Sequence, residues 1–330
     1  MNASTIICCY NSSQRLPKTI EHLAQQKTDI DWEIIVVDNN STDNTAEVAK
    51  SEWNKYNNPV SFRVVKEPVA GLSTARERGI KESKGKYIIF CDDDNWLAPD
   101  YVQNAYNIME SNQKIGALGG WGEAVADIDF PDWFQDVAGG YATGKQAEED
   151  LADVTEKRKY VYGAGMILRK SALEKLEKVN FKTLLSDRKG SALSSGGDTE
   201  LCYALILAGY RIFYSSSLKF MHYIPDNRLT EEYAIKLHEG FGSSLMPLHA
   251  YQYVLQGLDV NKKWIWLRYF YPILLQKSSN NSKKFAGGKE SILSQVMKKS
   301  LKKSIWKENF NFDNMIQQIK NLKSKLDEIS

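Results

Sequence analysis

The chain is poor in the features that most readily suggest a function. It has four cysteines, Cys8, Cys9, Cys91 and Cys202, and none stands in CxxC spacing. That excludes a zinc ribbon or a dithiol redox motif and leaves reduced, buried thiols as the expectation. Eight prolines in 330 residues exclude a proline-rich or collagen-like chain. No apolar run approaches the roughly 20 residues of a membrane-spanning helix. Neither a GxxxxGK(S/T) loop nor a GxGxxG is present, so both familiar glycine-rich phosphate nests are missing. The net charge is only +2, from 43 basic and 41 acidic residues. There is thus no whole-chain basic field, and nucleic acid is not an expected partner. The opening MNASTIICCYNSS lacks the basic start and cleavage site of a signal peptide, so a cytoplasmic location is expected.

The near-neutral total hides an asymmetry. Residues 259–330 hold 15 Lys/Arg and 6 Asp/Glu, a balance of +9, whereas residues 1–258 carry −7. An acidic body and a basic tail point to two parts with different work. The charge shift places the boundary between Asp226 and Asp259, and the expected division is a body over 1–225 and a helical, basic extension over 226–330.

What is there is alternation. Thr5–Cys9, Glu33–Val37, Phe62–Val65 and Tyr87–Cys91 read as short strands, apolar on both faces or nearly so. Between them, Leu16–Gln26, Asn44–Trp53 and Ser73–Glu82 have helical spacing, with Ser41 to Asp43 and Ser73 offered as caps. Pro99 suits the start of a further helix, and Ile115–Gly119 closes the series. This pattern predicts an α/β fold with a mostly parallel sheet and helices on both faces. Further on, Trp121–Lys159 reads as an irregular loop and Tyr160–Arg169 as a strand interrupted by Gly163 and Gly165. Asp198–Ala208 reads as a helix, Ile212–Ser215 and Leu218–His222 as two strands, and everything from Leu229 as helical.

Parallel sheets bind ligands at the carboxyl ends of their strands, so the residues there matter most. They are Tyr10 and Asn11, then Asp38, then Lys66 and Glu67, then Asp92-Asp93-Asp94. Three adjacent carboxylates after a buried strand repel one another and call for a cation. Hard oxygen donors suit Mg²⁺ or Mn²⁺, and a site with few protein ligands leaves room for substrate phosphates. The plain alternative is an acidic surface turn. Arg76 is a second candidate phosphate partner, its alternative being a surface ion pair.

CCYNSS, VVDNNSTDNT, GLSTARERGI, YIIFCDDDNW, GAGMILRK and GGDTEL, in that order, resemble glycosyltransferase family 2 over roughly the first 225 residues. The resemblance implies the GT-A fold, with a nucleotide-sugar part over about 1–120 and an acceptor part over about 121–225. It implies inverting, metal-dependent transfer of one sugar from a nucleoside-diphosphate sugar, UDP favoured, to a hydroxyl of a saccharide or lipid-linked saccharide. Surface polysaccharide or glycan assembly is the matching setting. No QxxRW motif of processive synthases is present, so one sugar per visit is expected.

Residue by residue, the resemblance implies that Tyr10 stacks on the base beside Asn11, and that Asp38 accepts a hydrogen bond from the base. Asp92 and Asp94 are the outer acids of the DxD motif, Asp94 touching the metal, with Asp93 between them at the nucleotide sugar. Asp198 stands at the general-base position, and its alternative role is a helix cap. Gly197 departs from the family's usual glutamate. His222 is a further candidate for metal or diphosphate, and its alternative is a structural histidine. Gly163, Gly165, Met166 and Trp121 are expected on the acceptor side.

Two other functions share some of these features: a non-catalytic sugar-nucleotide binding protein, and a nucleotidyltransferase. The latter usually opens with a glycine-rich basic loop, where this chain has YNSSQR. In the tail, residues 262–277 are aromatic and Ile292–Ile305 form a basic amphipathic pattern. Peripheral contact of 262–306 with the inner face of the cell membrane is therefore expected, packing on the body being the alternative.

Overall fold

A computed structural model describes residues 1–57, 60–185, 195–258, 284–287, 291–307 and 311–329. The amino-terminal third is the expected alternation. β1 (Ala3–Cys9), β2 (Trp32–Asp38), β3 (Ser61–Lys66) and β4 (Tyr87–Asp92) are separated by α1 (Leu16–Ala24), α2 (Thr45–Asn54) and α3 (Leu72–Glu82). β1 pairs in parallel with β2 and β4, and β2 with β3. Ile34, Ile35, Val36 and Val37 of β2 are all fully buried, as a strand covered on both faces must be. This parallel register brings Cys9 beside Asp38, and Cys8 beside Asp92, so the polar strand ends lie along one edge.

Then follow β5 (Asn95–Leu97), α4 (Tyr101–Ser111), β6 (Ile115–Val125), a short α5 (Phe134–Val137), β7 (Leu151–Asp153), β8 (Ile167–Arg169), α6 (Lys170–Lys178), α7 (Gly197–Leu207) and β9 (Arg211–Tyr223). Among the described residues the strands form one sheet in the order β3-β2-β1-β4-β8-β6-β9-β5, with β7 also on β9. The second half is mixed: β8 is antiparallel to β4 and β6, while β6 and β9 run parallel.

Several local expectations change. The strand predicted over Tyr160–Arg169 shrinks to Ile167–Arg169 because Gly165 takes φ 68°, and the Met166 N–H turns back to the Gly163 carbonyl. The two strands predicted in 212–222 are one, β9, paired along β6 through a register shift between Gly119 and Trp121. Ser73 is inside α3, whose N-cap is Gly71, and Pro99 precedes the Asp100 cap of α4 rather than opening the helix.

The tail is helical where it is described: α8 (Glu231–Leu255), α9 (Ile292–Lys307) and α10 (Phe312–Glu328). Over 292–306 the expected membrane contact needs correction to the alternative, packing on the body. The apolar stripe of α9 turns inward, with Leu293, Leu301 and Ile305 each no more than 2% exposed. Ser300 and Ser304 donate to the Glu239 and Ser243 carbonyls of α8 at 2.6 and 3.2 Å. α10 buries Phe312, Met315, Ile316, Ile319 and Leu326. A helix that spends its apolar face on the protein has none left for a bilayer. The aromatic stretch 262–277 lies outside the described residues. Among those described, no helix is long and apolar enough to cross a membrane. One hydrophobic cluster joins Ile6 and Ile88 of the sheet to Tyr251 of α8 and Leu326 of α10, so the extension shares the core of the body.

Candidate functional site

A cavity of about 890 Å³ opens along the carboxyl edge of β1, β2 and β4. Tyr10, Asn39, Asn40 and Gly71 line one end, and Asp92, Asp93 and Asp94 the middle. Gly163, Asp198 and one side of α8 line the other end. That volume lies in the upper part of the range of about 300–1,000 Å³ for ligand sites.

Tyr10 is 53% exposed at the end of β1, a ring presented rather than packed. Its neighbours hold the loop around it. The Asn11 side-chain oxygen accepts from the Thr42 N–H at 2.8 Å, and Asp38 accepts from the Ser41 N–H at 3.2 Å. Neither Asn11 nor Asp38 lines the cavity itself. Asn39, which sequence reasoning passed over, does. Its amide donates to the Glu67 and Val69 carbonyls at 3.1 and 2.7 Å, while its oxygen accepts from Gly71 N–H at 2.8 Å. Asn39 thereby staples the strand end to the head of α3.

The three aspartates separate by partner. Asp93 accepts from Ser12 and from Arg15, the latter at 2.7 Å, which ties the triplet to the start of α1. Asp94 lies between His222 Nε2 at 3.4 Å and Arg228 Nη1 at 3.0 Å. Burial would raise the Asp94 carboxyl, but His222 and then Arg228 and Arg15 overcome it and hold it well below the usual range. Asp92 behaves oppositely: burial raises it, Arg76 offsets part of this, and the charge of Asp94 adds to it. Burial and Asp94 also raise Asp93. Two buried carboxylates pushed towards protonation mark a place short of positive charge.

That shortage is the test of fit for a divalent cation. Asp92, Asp94 and the His222 ring are hard or borderline donors on one cavity wall, and His222 Nδ1 is buried without a hydrogen-bond partner. Among the described residues no group of three His, Cys, Asp or Glu side chains is placed to hold a metal ion by itself. A Mg²⁺ or Mn²⁺ that shares its coordination with substrate phosphates and water does not need one. Two carboxylates, Asp92 and Asp94, on the cavity lining fit such a shared cation.

Asp198 sits in the first turn of α7. The N-cap there is Gly196 in a left-handed conformation, with no side-chain cap, so the carboxylate is not spent on capping. It pairs instead with Arg76. Arg76 also lies 4.7 Å from the Phe90 ring centre. The ion pair expected as the plain alternative for Arg76 thus exists, but inside the cavity and with the candidate base. A side chain on Gly197 would meet nothing within 4 Å, so the departure from the family's glutamate leaves open space.

Gly163 owes its identity to Asp198, because a Cβ there would collide with the Asp198 carboxylate. Gly163→Ala is therefore expected to displace that carboxylate. Turnover should fall by about a hundredfold, as a misplacement of about 1 Å can cost, with melting close to wild type. Initial rates and thermal melts of the variant check this; normal turnover would show that the Asp198 position is immaterial.

The other expected acceptor residues are placed elsewhere. Met166 is fully buried in the core, and Gly165 is packed under Tyr101, whose hydroxyl donates to its carbonyl at 2.5 Å. Trp121 does not line the cavity; Lys145 and Lys219 lie 5.2 and 4.8 Å from its ring centre. The cavity near Asp198 is instead lined by residues that include Tyr160, Tyr162 and part of α8. Arg15, Arg228 and this helix were missed because no local pattern marks them.

Comparison with known proteins agrees with this geometry. The family described as glycosyl transferase family 2 matches residues 4–177. The poly(ribitol-phosphate) beta-N-acetylglucosaminyltransferase TarP of Staphylococcus aureus is 28% identical over 183 residues, 54% of this chain and 52% of that protein. The chain thus matches about half the length of this relative. Among solved structures, S. aureus TarS 1–349 in complex with UDP-GlcNAc has a TM-score of 0.52 at 15% identity, covering 100% of this chain and 91% of that one. The mannosyltransferase PcManGT of Pyrobaculum calidifontis, in complex with GDP-Man and Mn²⁺, has a TM-score of 0.57 at 15% identity, covering 93% and 88%. At such identities these two are likenesses of fold.

Proposed function

The chain belongs to glycosyl transferase family 2, and on that premise we propose that it transfers one sugar from a nucleoside-diphosphate sugar to a hydroxyl of a saccharide acceptor, with inversion. Its fold is the GT-A arrangement: a largely parallel α/β sheet, here continued by carboxyl-terminal helices. The observation that carries the proposal is the single cavity that joins the carboxylates at the end of β4 to Asp198 at the head of α7.

Tyr10 offers its exposed ring to the base, with Asn39 and Gly71 shaping the same end. UDP is the favoured nucleotide, in keeping with the UDP-GlcNAc complex of a structural neighbour. Asp92 and Asp94, with His222, would hold Mn²⁺ or Mg²⁺, which supplies charge neutralisation for the departing diphosphate. The acceptor hydroxyl attacks the anomeric carbon from the face opposite the diphosphate. The new C–O bond forms as the bond to the diphosphate oxygen breaks, and the hydroxyl proton passes to the Asp198 carboxylate. Charge builds on the sugar as in other glycosyl transfers, and holding both substrates in one cavity lowers the entropic barrier. The acceptor is a saccharide, free or lipid-linked, in the assembly of a cell-surface glycan; the relative TarP is named for transfer to poly(ribitol phosphate).

A screen of nucleotide sugars with Mn²⁺ tests this. Free nucleoside diphosphate should appear from one donor, a UDP-sugar, and faster with saccharide present. No release from any donor would favour a binding protein without catalysis.

A further inference from the structure

We infer that α8 forms the acceptor wall of the cavity and that this wall is built for an uncharged saccharide rather than a phosphodiester chain. The inference rests on the transfer reaction proposed above and goes beyond it.

The first observation is a helix with two apolar faces. Tyr233, Leu237, Phe241, Leu248 and Gln252 recur at helical spacing and line the cavity. The opposite face is closed by α9: a side chain on Gly242 would collide with the Met297 backbone, and Ser300 and Ser304 bond to α8 carbonyls. α8 is thus braced from behind and open in front, facing the cavity that holds Asp198.

The second is the wall opposite α8. Tyr160 and Tyr162 line the cavity, and Arg158 lies 4.5 and 4.7 Å from their ring centres without lining it. Arg158 Nε and Nη2 are buried and make no hydrogen bond among the described residues, so the guanidinium is committed to backing the two rings. The Tyr162 N–H donates to buried Gln146 at 2.9 Å, which fixes the strip from below. Gly139 and Gly140 let the backbone pack close to both, since side chains there would meet the Tyr162 hydroxyl and the Phe241 ring. Fixed aromatic faces with amide and hydroxyl groups beside them suit sugar rings.

The third is charge. Among the described lining residues, four carboxylates face three arginines, and each arginine is paired: Arg15 with Asp93, Arg76 with Asp198, Arg228 with Asp94. Burial pushes the His249 imidazole below its usual value, so it adds no charge near neutral pH. A phosphodiester chain would need charge-assisted donors that the described residues of this wall do not offer.

The test uses the full chain with its preferred donor, and methyl glycosides, neutral disaccharides and a ribitol phosphate oligomer as acceptor probes. Neutral glycosides should accelerate nucleotide release, and the oligomer should not. Tyr162→Ala and Gln252→Ala should raise the glycoside KM at least tenfold while the donor KM moves less than twofold, and Tyr162→Phe should restore it. Acceleration by the oligomer alone, or donor and acceptor KM rising together, overturns the inference. Glycoside binding by saturation-transfer NMR separates the two readings. Binding that needs Tyr162 in a chain that hydrolyses no donor would end the transferase proposal alone. Donor hydrolysis without glycoside binding would end only this one.

Discussion

Turnover is expected to fall by about a hundredfold or more in Asp198→Asn, with donor affinity near normal. Asparagine keeps the shape of the side chain and its fit against Gly163. It can still accept from Arg76, but it no longer takes a proton, and removal of a general base typically costs about 10²–10⁴ in rate. The helix itself loses little, because Gly196, not Asp198, occupies the cap position of α7. Single-turnover kinetics with saturating donor, together with donor titration, separate the two effects. Unchanged turnover would reduce Asp198 to an ion-pair partner of Arg76.

The second large effect is at Asp94. Asp94→Ala should lower transfer by about a thousandfold or more and abolish its response to Mn²⁺. The wild type should stop in EDTA and recover with Mn²⁺ or Mg²⁺. Metal neutralisation of a leaving group is a transition-state term of several kcal/mol, which accounts for that magnitude. The structure adds a consequence for the fold. Arg228 and His222 both pair with Asp94, so the variant leaves two basic groups together without their carboxylate and should melt at lower temperature. The pH dependence has a definite sign. The folded Asp94 carboxyl sits below its unfolded value of about 3.9, so its stabilisation is present above that value and is lost as pH falls towards the folded one. The melting difference between wild type and Asp94→Ala should therefore narrow in acid. Full activity in EDTA would overturn the metal assignment, and a melting difference independent of pH would overturn the pairing.

The two effects draw on different amounts of foresight. Asp94 and Asp198 stand near element ends that periodicity locates, and the family resemblance implied their roles. Apolar runs of β-branched residues mark β1, β2 and β4, parallel pairing puts their ends on one edge, and the carboxylates that follow them gather there. For the same reason the polar ends at Tyr10 and Asp38 were legible. Gly163 carried a visible signal too, a glycine inside an apposed segment, although what approaches it is the Asp198 side chain rather than a ligand. Met166, grouped with Gly163 in the sequence, is fully buried instead. Past the turn at Gly165 the chain enters β8, and the side chain points into the core. The tail misled in another way, since a basic helix with an apolar stripe has the same pattern whether a membrane or a second helix covers the stripe.

By itself, then, the amino-acid sequence determined the alternating architecture and the acidic strand edge, properties of short segments whose spacing follows from the 2.0- and 3.6-residue periods, while six motifs in order carried the family resemblance. Only the tertiary structure decided who meets whom across long separations. Arg228 reaches Asp94 from 134 residues away and Arg76 reaches Asp198 from 122, and neither pairing leaves a trace in local spacing. It also decided that α8 presents one face to the cavity and the other to α9, because a helix apolar on both sides states only that both will be covered. Which face meets solvent-filled space and which meets protein depends on packing against α9 and the core, a non-local balance that no window of the sequence contains.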